Sequence, residues 1–169
     1  MLASMLTNAW SQGISIAAFI ALTAIAPARG ADLATKRALT LEIAKGMISA
    51  AEQKASGNHW AMVITVLDDA GNLLAFERMD GAQVGSIDIS QRKASSSLRF
   101  RAPTKNFADG IARGSAALVT LGVVTFEGGL PIVVDGQVIG AIGVSGGAAD
   151  QDGQAAKAGL EWFDANVKK

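Results

Sequence analysis

Apolar residues recur at helical spacing in three stretches of the chain. The first covers residues 40–55, opens on a threonine suited to capping a helix, and is followed by Gly57, which is expected to end it in a left-handed conformation. The second covers residues 86–100 and is rich in serine and alanine along one side. The third follows Asp150 or Asp152, either of which suits an N-cap. The pattern therefore predicts three amphipathic helices.

Two other stretches carry the β-branched residues and the turn chemistry of hairpins. Residues 60–78 contain two apolar runs separated by the turn sequence Asp-Asp-Ala-Gly-Asn. Residues 132–144 contain two β-branched runs around Asp135 and Gly136, a pair that favours a type I′ turn because both central residues adopt positive φ there. The second arm carries several glycines, which indicate that a helix, a second subunit or a ligand approaches its backbone closely.

The predicted elements follow in the order helix, hairpin, two or three helices, hairpin, helix. A short additional helix is expected after Pro103, with Thr104 as its cap. Consecutive hairpins imply antiparallel pairing, and the amphipathic helices would cover the sheet. The sequence therefore predicts an α+β fold in a single domain covering residues 31–169. Gly140 and Gly143 lie inside a strand and open no helix, so they do not form a dinucleotide-binding fingerprint.

An apolar segment precedes the predicted domain. Residues 14–26 form a continuous run of small and apolar side chains, shorter than the roughly 20 residues that a membrane-spanning helix needs. Cleavage after Ala28 or after Gly30 would suit a signal peptidase. No lysine or arginine precedes the run, and an uncleaved membrane anchor is the alternative. We expect residues 1–30 to be a signal peptide, and the mature protein to be periplasmic or secreted without stable membrane insertion.

Composition excludes several classes of function. The chain has 15 basic and 15 acidic residues, and this zero net charge predicts no attraction to nucleic acid. It has no cysteine, which excludes disulfides, thiolate metal sites and cysteine nucleophiles. Its single histidine is His59, so a histidine-rich metal site and a serine–histidine–aspartate triad have little support.

The second predicted helix and the residues after it hold a concentration of positive charge. Five basic residues fall within fourteen positions: Arg92, Lys93, Arg99, Arg101 and Lys105. Basic side chains near the end of a helix complement its dipole, which favours a solvated surface. The same side chains are suited to binding a carboxylate or a phosphate. The sequence alone is compatible with both interpretations.

Three motifs in a fixed order relate the chain to a known family. They read VITVLDDAGNLLAFERMDGA, QRKASSSLRFRAPT and GGLPIVVDGQVIGAIGVSGG, and they lie within residues 39–163. On these motifs the chain resembles the GlcG/HbpS family of heme-binding proteins, which is related to the C-terminal domain of PduO proteins. The resemblance implies a profilin-like α+β fold with an antiparallel sheet of about five strands flanked by helices. It also implies a homo-oligomer, often an octamer, with heme or a related tetrapyrrole as its ligand.

The resemblance also suggests which residues bind the ligand. Heme requires an apolar slot, cations for its propionates and an axial ligand to the iron. Arg78, Arg92 and Lys93 are the candidate cations, and His59 or Thr104 is the candidate axial ligand. Further candidates for these two roles are Arg99 as a cation and Met47, Met62 and Met79 as axial ligands.

These observations lead to one main hypothesis and two alternatives. The main hypothesis is an exported heme-binding protein that sequesters, transfers or senses heme. The first alternative is an accessory protein that binds a small carboxylate or a corrinoid. The second is a heme-degrading enzyme, in which bound heme, a reductant and oxygen supply most of the chemistry and Asp80, Glu127 or Asp150 acts as a general acid or base.

Overall fold

A computed structural model describes residues 30–167 of the chain, and a compact unit beginning at Thr35 holds the helices and strands assigned there. The predicted signal peptide lies outside the described residues, apart from Gly30. Within the described range, no helix is long and apolar enough to cross a membrane. The elements in chain order are α1 (Leu41–Ser56), β1 (Val63–Asp68), β2 (Leu73–Arg78), α2 (Gly85–Phe100), α3 (Thr104–Ala112), a 3-10 helix (Ala116–Leu121), β3 (Gly129–Val134), β4 (Gln137–Ser145) and α4 (Ala149–Asn166).

Four antiparallel strands form one sheet in the order β2-β1-β4-β3. The fold class is the predicted α+β class, with four strands where about five were expected. β1 and β4 occupy the centre and are largely buried, whereas β2 is an exposed edge strand. The register pairs Val63 with Ser145, so the beginning of β1 lies beside the end of β4. β3 also begins near this end of the sheet, where Gly129 pairs with Gly143.

Helices cover both faces of the sheet. α1 and α4 pack against each other and against one face, and together they enclose the main hydrophobic core. The buried stripes of these helices include residues predicted from helical spacing: Ala44, Ile48, Ala51, Ala156 and Phe163. Met47 and Met62 are also fully buried in this core, so neither sulfur atom is accessible from solvent.

α2 covers the other face, and its close packing explains a glycine of β4. A Cβ atom on Gly143 would lie 2.6 Å from the Ala94 backbone nitrogen and 2.9 Å from its Cβ atom. The small residues of α2 therefore lie directly on the sheet, where Ser90 Oγ and Thr65 Oγ1 share a buried hydrogen bond of 2.9 Å. Of the three explanations that the glycines suggested, helix packing is the one that accounts for Gly143.

The tight turns confirm one prediction and correct another. Asp135 and Gly136 both have positive φ, of 49° and 76°, as predicted for the second hairpin. Gly57 is not left-handed, because its φ is −63°, and the left-handed residue is His59, with a φ of 60°. The helical turn continues past Gly57, since the backbone N–H groups of Asn58 and His59 donate hydrogen bonds to carbonyls at the end of α1, as does the Asn58 side-chain amide. The chain therefore reverses two residues later than predicted.

The start of α4 also differs from the prediction. Ala148 occupies the N-cap position, and its backbone N–H donates to the Gln151 side chain over 2.9 Å. Asp150 is exposed in the first turn, whereas Asp152 is buried. Neither aspartate is the cap, because the helix begins one residue before Asp150 and the Asp152 carboxylate pairs with Lys93 instead.

Candidate functional site

A pocket opens at the end of the sheet where β4 stops and α4 begins. α2, the loop before β3, the end of β4 and the first turns of α4 all contribute to its wall, and we call it the α2–α4 pocket. Its volume is about 220 Å³. The residues that line it include Ile89, Lys93, Phe126, Ser145, Ala149 and Asp152.

A buried ion pair lies in the wall of this pocket. Lys93 Nζ donates hydrogen bonds to Asp152 Oδ2 over 2.6 Å and to the Val144 carbonyl over 3.0 Å. The Lys93 and Asp152 side chains are only 2% and 4% exposed. Asp152 Oδ1 accepts a further hydrogen bond of 2.9 Å from the Gly147 N–H. Burial raises the pKa of the Asp152 carboxyl above its ordinary value, although the hydrogen bonds from Lys93 and Gly147 oppose that rise.

Gly128 leaves the space that the ion pair occupies. Its φ of 124° lies in a region that glycine adopts far more readily than other residues. A Cβ atom at this position would lie 2.9 Å from Lys93 Nζ and 2.9 Å from the Asp152 Cβ atom. Its carbonyl also accepts a hydrogen bond of 2.9 Å from the Val144 N–H. Glycine is therefore needed at position 128 for two reasons: the backbone conformation there and the close packing against the ion pair.

Thr104 lies near Lys93 but bonds to the backbone. It is fully buried and is the first residue of α3, not the cap that was predicted. Its Oγ1 accepts a hydrogen bond of 2.9 Å from the Gly129 N–H. A Cβ atom on Gly129 would lie 2.7 Å from the Thr104 methyl carbon and 2.9 Å from the Lys93 carbonyl carbon. The start of β3 thus brings together two of the five predicted site residues.

The other three predicted site residues are exposed and do not line the α2–α4 pocket. Arg78 ends the edge strand β2, and His59 follows α1. Arg92 lines a different pocket, of about 290 Å³, beside the β1–β2 turn, where it lies 3.6 Å from Asp88. Adjacent residues of a helix differ in direction by about 100°, so Arg92 and Lys93 do not form one anion site.

The partner of Lys93 is not evident from the sequence pattern. Asp152 was predicted as a helix cap, and neither Ser145 nor Phe126 was predicted to belong to a site. One signal was available, because Lys93 falls on the small-residue side of α2, which packs on the sheet. A lysine on a buried helix face needs a carboxylate partner, and the acidic residues at the start of the last helix suit that role.

The fold and the pocket define the class of protein. It is a small α+β domain with one antiparallel sheet, helices on both faces and a pocket at one end of the sheet that holds a buried ion pair. A family model described as "Haem degrading protein HbpS-like" matches residues 39–161. The chain belongs to this HbpS-like family, which confirms the family predicted from the three sequence motifs.

Individual relatives agree with this assignment. Protein GlcG from Escherichia coli (strain K12) is 43% identical over 112 residues, which cover 66% of this chain and 84% of GlcG. The crystal structure of a double mutant of HbpS from Streptomyces reticuli is 34% identical, with a TM-score of 0.71 over 80% of this chain and 94% of that one. The crystal structure of a PduOC:heme complex is 27% identical, with a TM-score of 0.71 over 78% of this chain and 98% of that one. The chain therefore shares its fold with these proteins, one of which was crystallised as a heme complex.

Proposed function

We propose that this protein is an exported heme-binding protein that sequesters, transfers or senses heme. Membership of the HbpS-like family supports the proposal. The observation that carries it is the similarity to the PduOC:heme complex, which extends over 98% of that chain. That protein, which has the same fold, was crystallised with heme, and this supports heme as the ligand here.

The sizes of the pockets indicate how heme would be held. The pockets beside α2 and α4 measure about 220 to 290 Å³. Cavities that enclose drug-sized ligands measure roughly 300 to 1,000 Å³, and heme is a large ligand on that scale. We therefore propose that heme lies on an exposed surface of one copy and that a second copy covers its other face, in a homo-oligomer such as an octamer.

The exposure of the predicted site residues suits a surface site. Arg78 and Arg92 are exposed, so their guanidinium groups are available to the propionates. His59 is exposed as well, and its imidazole is available as an axial ligand. Thr104 and Lys93 are buried and hydrogen-bonded within the protein, so we do not assign them to heme binding.

A titration of the purified protein with hemin, followed by absorbance and by a sizing column, tests this function. We expect a saturable Soret band that co-elutes with an oligomer. Replacing both Arg78 and Arg92 with alanine is expected to weaken binding about tenfold or more, because charge-assisted contacts to the propionates are lost. Lys157→Ala, on the exposed side of α4, is the matched control and should leave binding unchanged.

The axial ligand is tested in the same titration. His59→Ala should change the position of the Soret maximum, whereas Thr104→Val, which removes the hydroxyl of the other candidate ligand, should not, because the axial ligand determines the iron spectrum. Absorbance at saturating hemin no greater than that of an unrelated protein would overturn the proposed function.

Export rests on residues 1–30 and is tested separately. We expect cell fractionation to place the protein in the periplasm or the medium, and N-terminal sequencing to find Arg29 or Ala31 as the first residue. A full-length chain retained in the membrane fraction would contradict export as a processed protein and would indicate an uncleaved anchor.

Heme degradation is a second candidate function, because the matching family model is described as haem degrading. The protein would be incubated with hemin, a reductant and oxygen in the presence of catalase. A bilin-like product under these conditions supports an enzyme. Loss of all turnover on adding catalase would instead indicate coupled oxidation by peroxide.

A further inference from the structure

Ser145 has a hydroxyl group without a hydrogen-bond partner in the α2–α4 pocket. The residue is only 6% exposed and lines the pocket at the end of β4. Its Oγ forms no hydrogen bond with any other residue in the range 30–167. Because this hydroxyl has no partner within the protein and faces the pocket, it is available to bond to an occupant of the pocket.

The other free hydrogen-bonding groups around this pocket are mainly donors. The Lys93 ammonium has three N–H groups, and only two are used, by Asp152 and by the Val144 carbonyl. Ala149 lines the pocket as the first residue of α4, and the N–H groups of the first helical turn have no partners within the helix. Both carboxylate oxygens of Asp152 already accept hydrogen bonds. An occupant that presents acceptor atoms therefore suits the site.

The charge around the pocket favours an occupant with a single negative charge. The charges of Lys93 and Asp152 cancel each other. The remaining positive field at the pocket comes from the N-terminal end of the α4 helix dipole. Two acidic residues lie nearby: Asp150 is exposed and screened by solvent, and Glu127 packs against α4 at Gly153. These carboxylates disfavour a multiply charged ligand such as a phosphate.

The size and the apolar walls of the pocket further restrict the chemical class of ligand that it can bind. Its volume of about 220 Å³ corresponds to about seven water molecules at about 30 Å³ each. Ile89 and Phe126 supply apolar surface, and the Phe126 side chain is free to cover an occupant because it is 62% exposed. A ligand of a few non-hydrogen atoms with an apolar part fits this space, whereas a tetrapyrrole or a corrinoid does not.

We propose that the α2–α4 pocket binds a small monocarboxylate that carries an apolar substituent. The carboxylate accepts hydrogen bonds from Ser145 Oγ, from the free N–H of Lys93 and from the first turn of α4. The apolar substituent packs against Ile89 and Phe126. Arg78, Arg92 and His59 do not line this pocket, so the site is independent of the residues proposed for heme.

Calorimetric titration of the purified protein, free of heme, with 2-hydroxybutyrate tests the site. We expect saturable binding at concentrations up to about 10 mM. The neutral analogue 2-hydroxybutyramide has nearly the same shape but no charge, and it should bind at least about tenfold more weakly, because hydrogen bonds to a charged group are the stronger ones.

Two variants and one control locate the binding. Ser145→Ala removes the free hydroxyl and should weaken 2-hydroxybutyrate binding about tenfold. Ala149→Leu fills the pocket from an exposed position of α4 and should abolish binding while the protein stays folded. Ser95→Ala is the same change as Ser145→Ala but in another pocket on α2, and it should leave affinity unchanged.

Three results would overturn the proposal. They are the absence of saturable binding by the folded wild-type protein, equal affinity for the amide and the carboxylate, and binding that neither Ser145→Ala nor Ala149→Leu alters. Hemin titrations of the same variants keep the two functions distinguishable, because we expect Soret titration curves like that of the wild type when carboxylate binding is lost.

Discussion

Lys93 Nζ lies 2.6 Å from Asp152 Oδ2, and this contact joins α2 to α4 beside Gly128. The two residues are separated by 59 positions in the sequence, and both side chains are almost completely buried. Because little water reaches either charge, each depends on the other for most of its compensation. The pair is therefore both a wall of the α2–α4 pocket and a tie between two helices on opposite faces of the sheet.

Removing one member of this pair is expected to destabilise the fold strongly. Lys93→Met leaves the Asp152 carboxylate buried without its cation and should lower the free energy of unfolding by about 3 to 5 kcal/mol. Combining it with Asp152→Leu should recover most of that loss, because a buried pair is often replaceable by apolar residues. Urea unfolding measures both effects. Lys157→Met, which breaks an exposed ion pair of α4, is the control and should not move the midpoint.

Gly128 and Gly136 are expected to differ in their tolerance of a side chain. Both have positive φ, but a Cβ atom meets nothing within 4 Å at Gly136, whereas at Gly128 it meets the Val144 carbonyl oxygen, Lys93 Nζ and Asp152 Cβ. Gly136→Ala should lower the free energy of unfolding by about 1 to 2 kcal/mol, from backbone strain alone. Gly128→Ala should lower it by roughly 3 kcal/mol, because overpacking adds to the strain. Equal losses in urea unfolding would show that the close contacts at Gly128 do not contribute to the loss of stability.

The Thr104 hydroxyl is expected to support the start of β3. Thr104→Val keeps the size of the side chain but leaves the buried Gly129 N–H without an acceptor, at a cost of about 1 to 3 kcal/mol. Thr104→Ser keeps the acceptor and removes only the methyl group. Hydrogen exchange at the Gly129 amide should accelerate in Thr104→Val and much less in Thr104→Ser, and the reverse order would contradict the role given to the hydroxyl.

Asp68 is expected to make stability depend on pH. Its Oδ1 accepts hydrogen bonds from the Ala70 and Asn72 N–H groups at 2.9 and 2.8 Å. Partial burial acts to raise the pKa of the Asp68 carboxyl, but hydrogen bonds from Asn72, Ala70 and Gly71 outweigh it and hold that pKa below its ordinary value of 3.8. The ionised carboxylate therefore stabilises the fold fully at pH values above the ordinary pKa. This contribution is lost as the pH falls through the lowered pKa.

Asp68→Asn tests this dependence. The variant should lose about 1 kcal/mol of unfolding free energy at neutral pH, because a neutral amide oxygen accepts weaker hydrogen bonds than a carboxylate. The difference from the wild type should shrink towards zero once the pH is below the lowered pKa. Urea unfolding over a series of pH values measures this difference in unfolding free energy. A difference that is constant with pH would contradict a stabilising role for the ionised Asp68 carboxylate.

The sequence by itself determined the fold class, the approximate extent of the main helices and strands, and the family. These features depend on local spacing and turn chemistry. The β-branched runs around Asp135 and Gly136 predict the second hairpin wherever the rest of the chain lies, and both residues have the expected positive φ. The three motifs likewise identify the family, because they are read directly as a string of residues.

Only the tertiary structure decided which residues share a site. Lys93 and Arg92 are neighbours in sequence and look equivalent as cations, but α2 turns Lys93 towards Asp152 and Arg92 towards solvent. Asp152 looks like a helix cap until β4 and α4 bring it against α2. Such pairings follow from packing between distant segments, and periodicity within one segment carries no information about them.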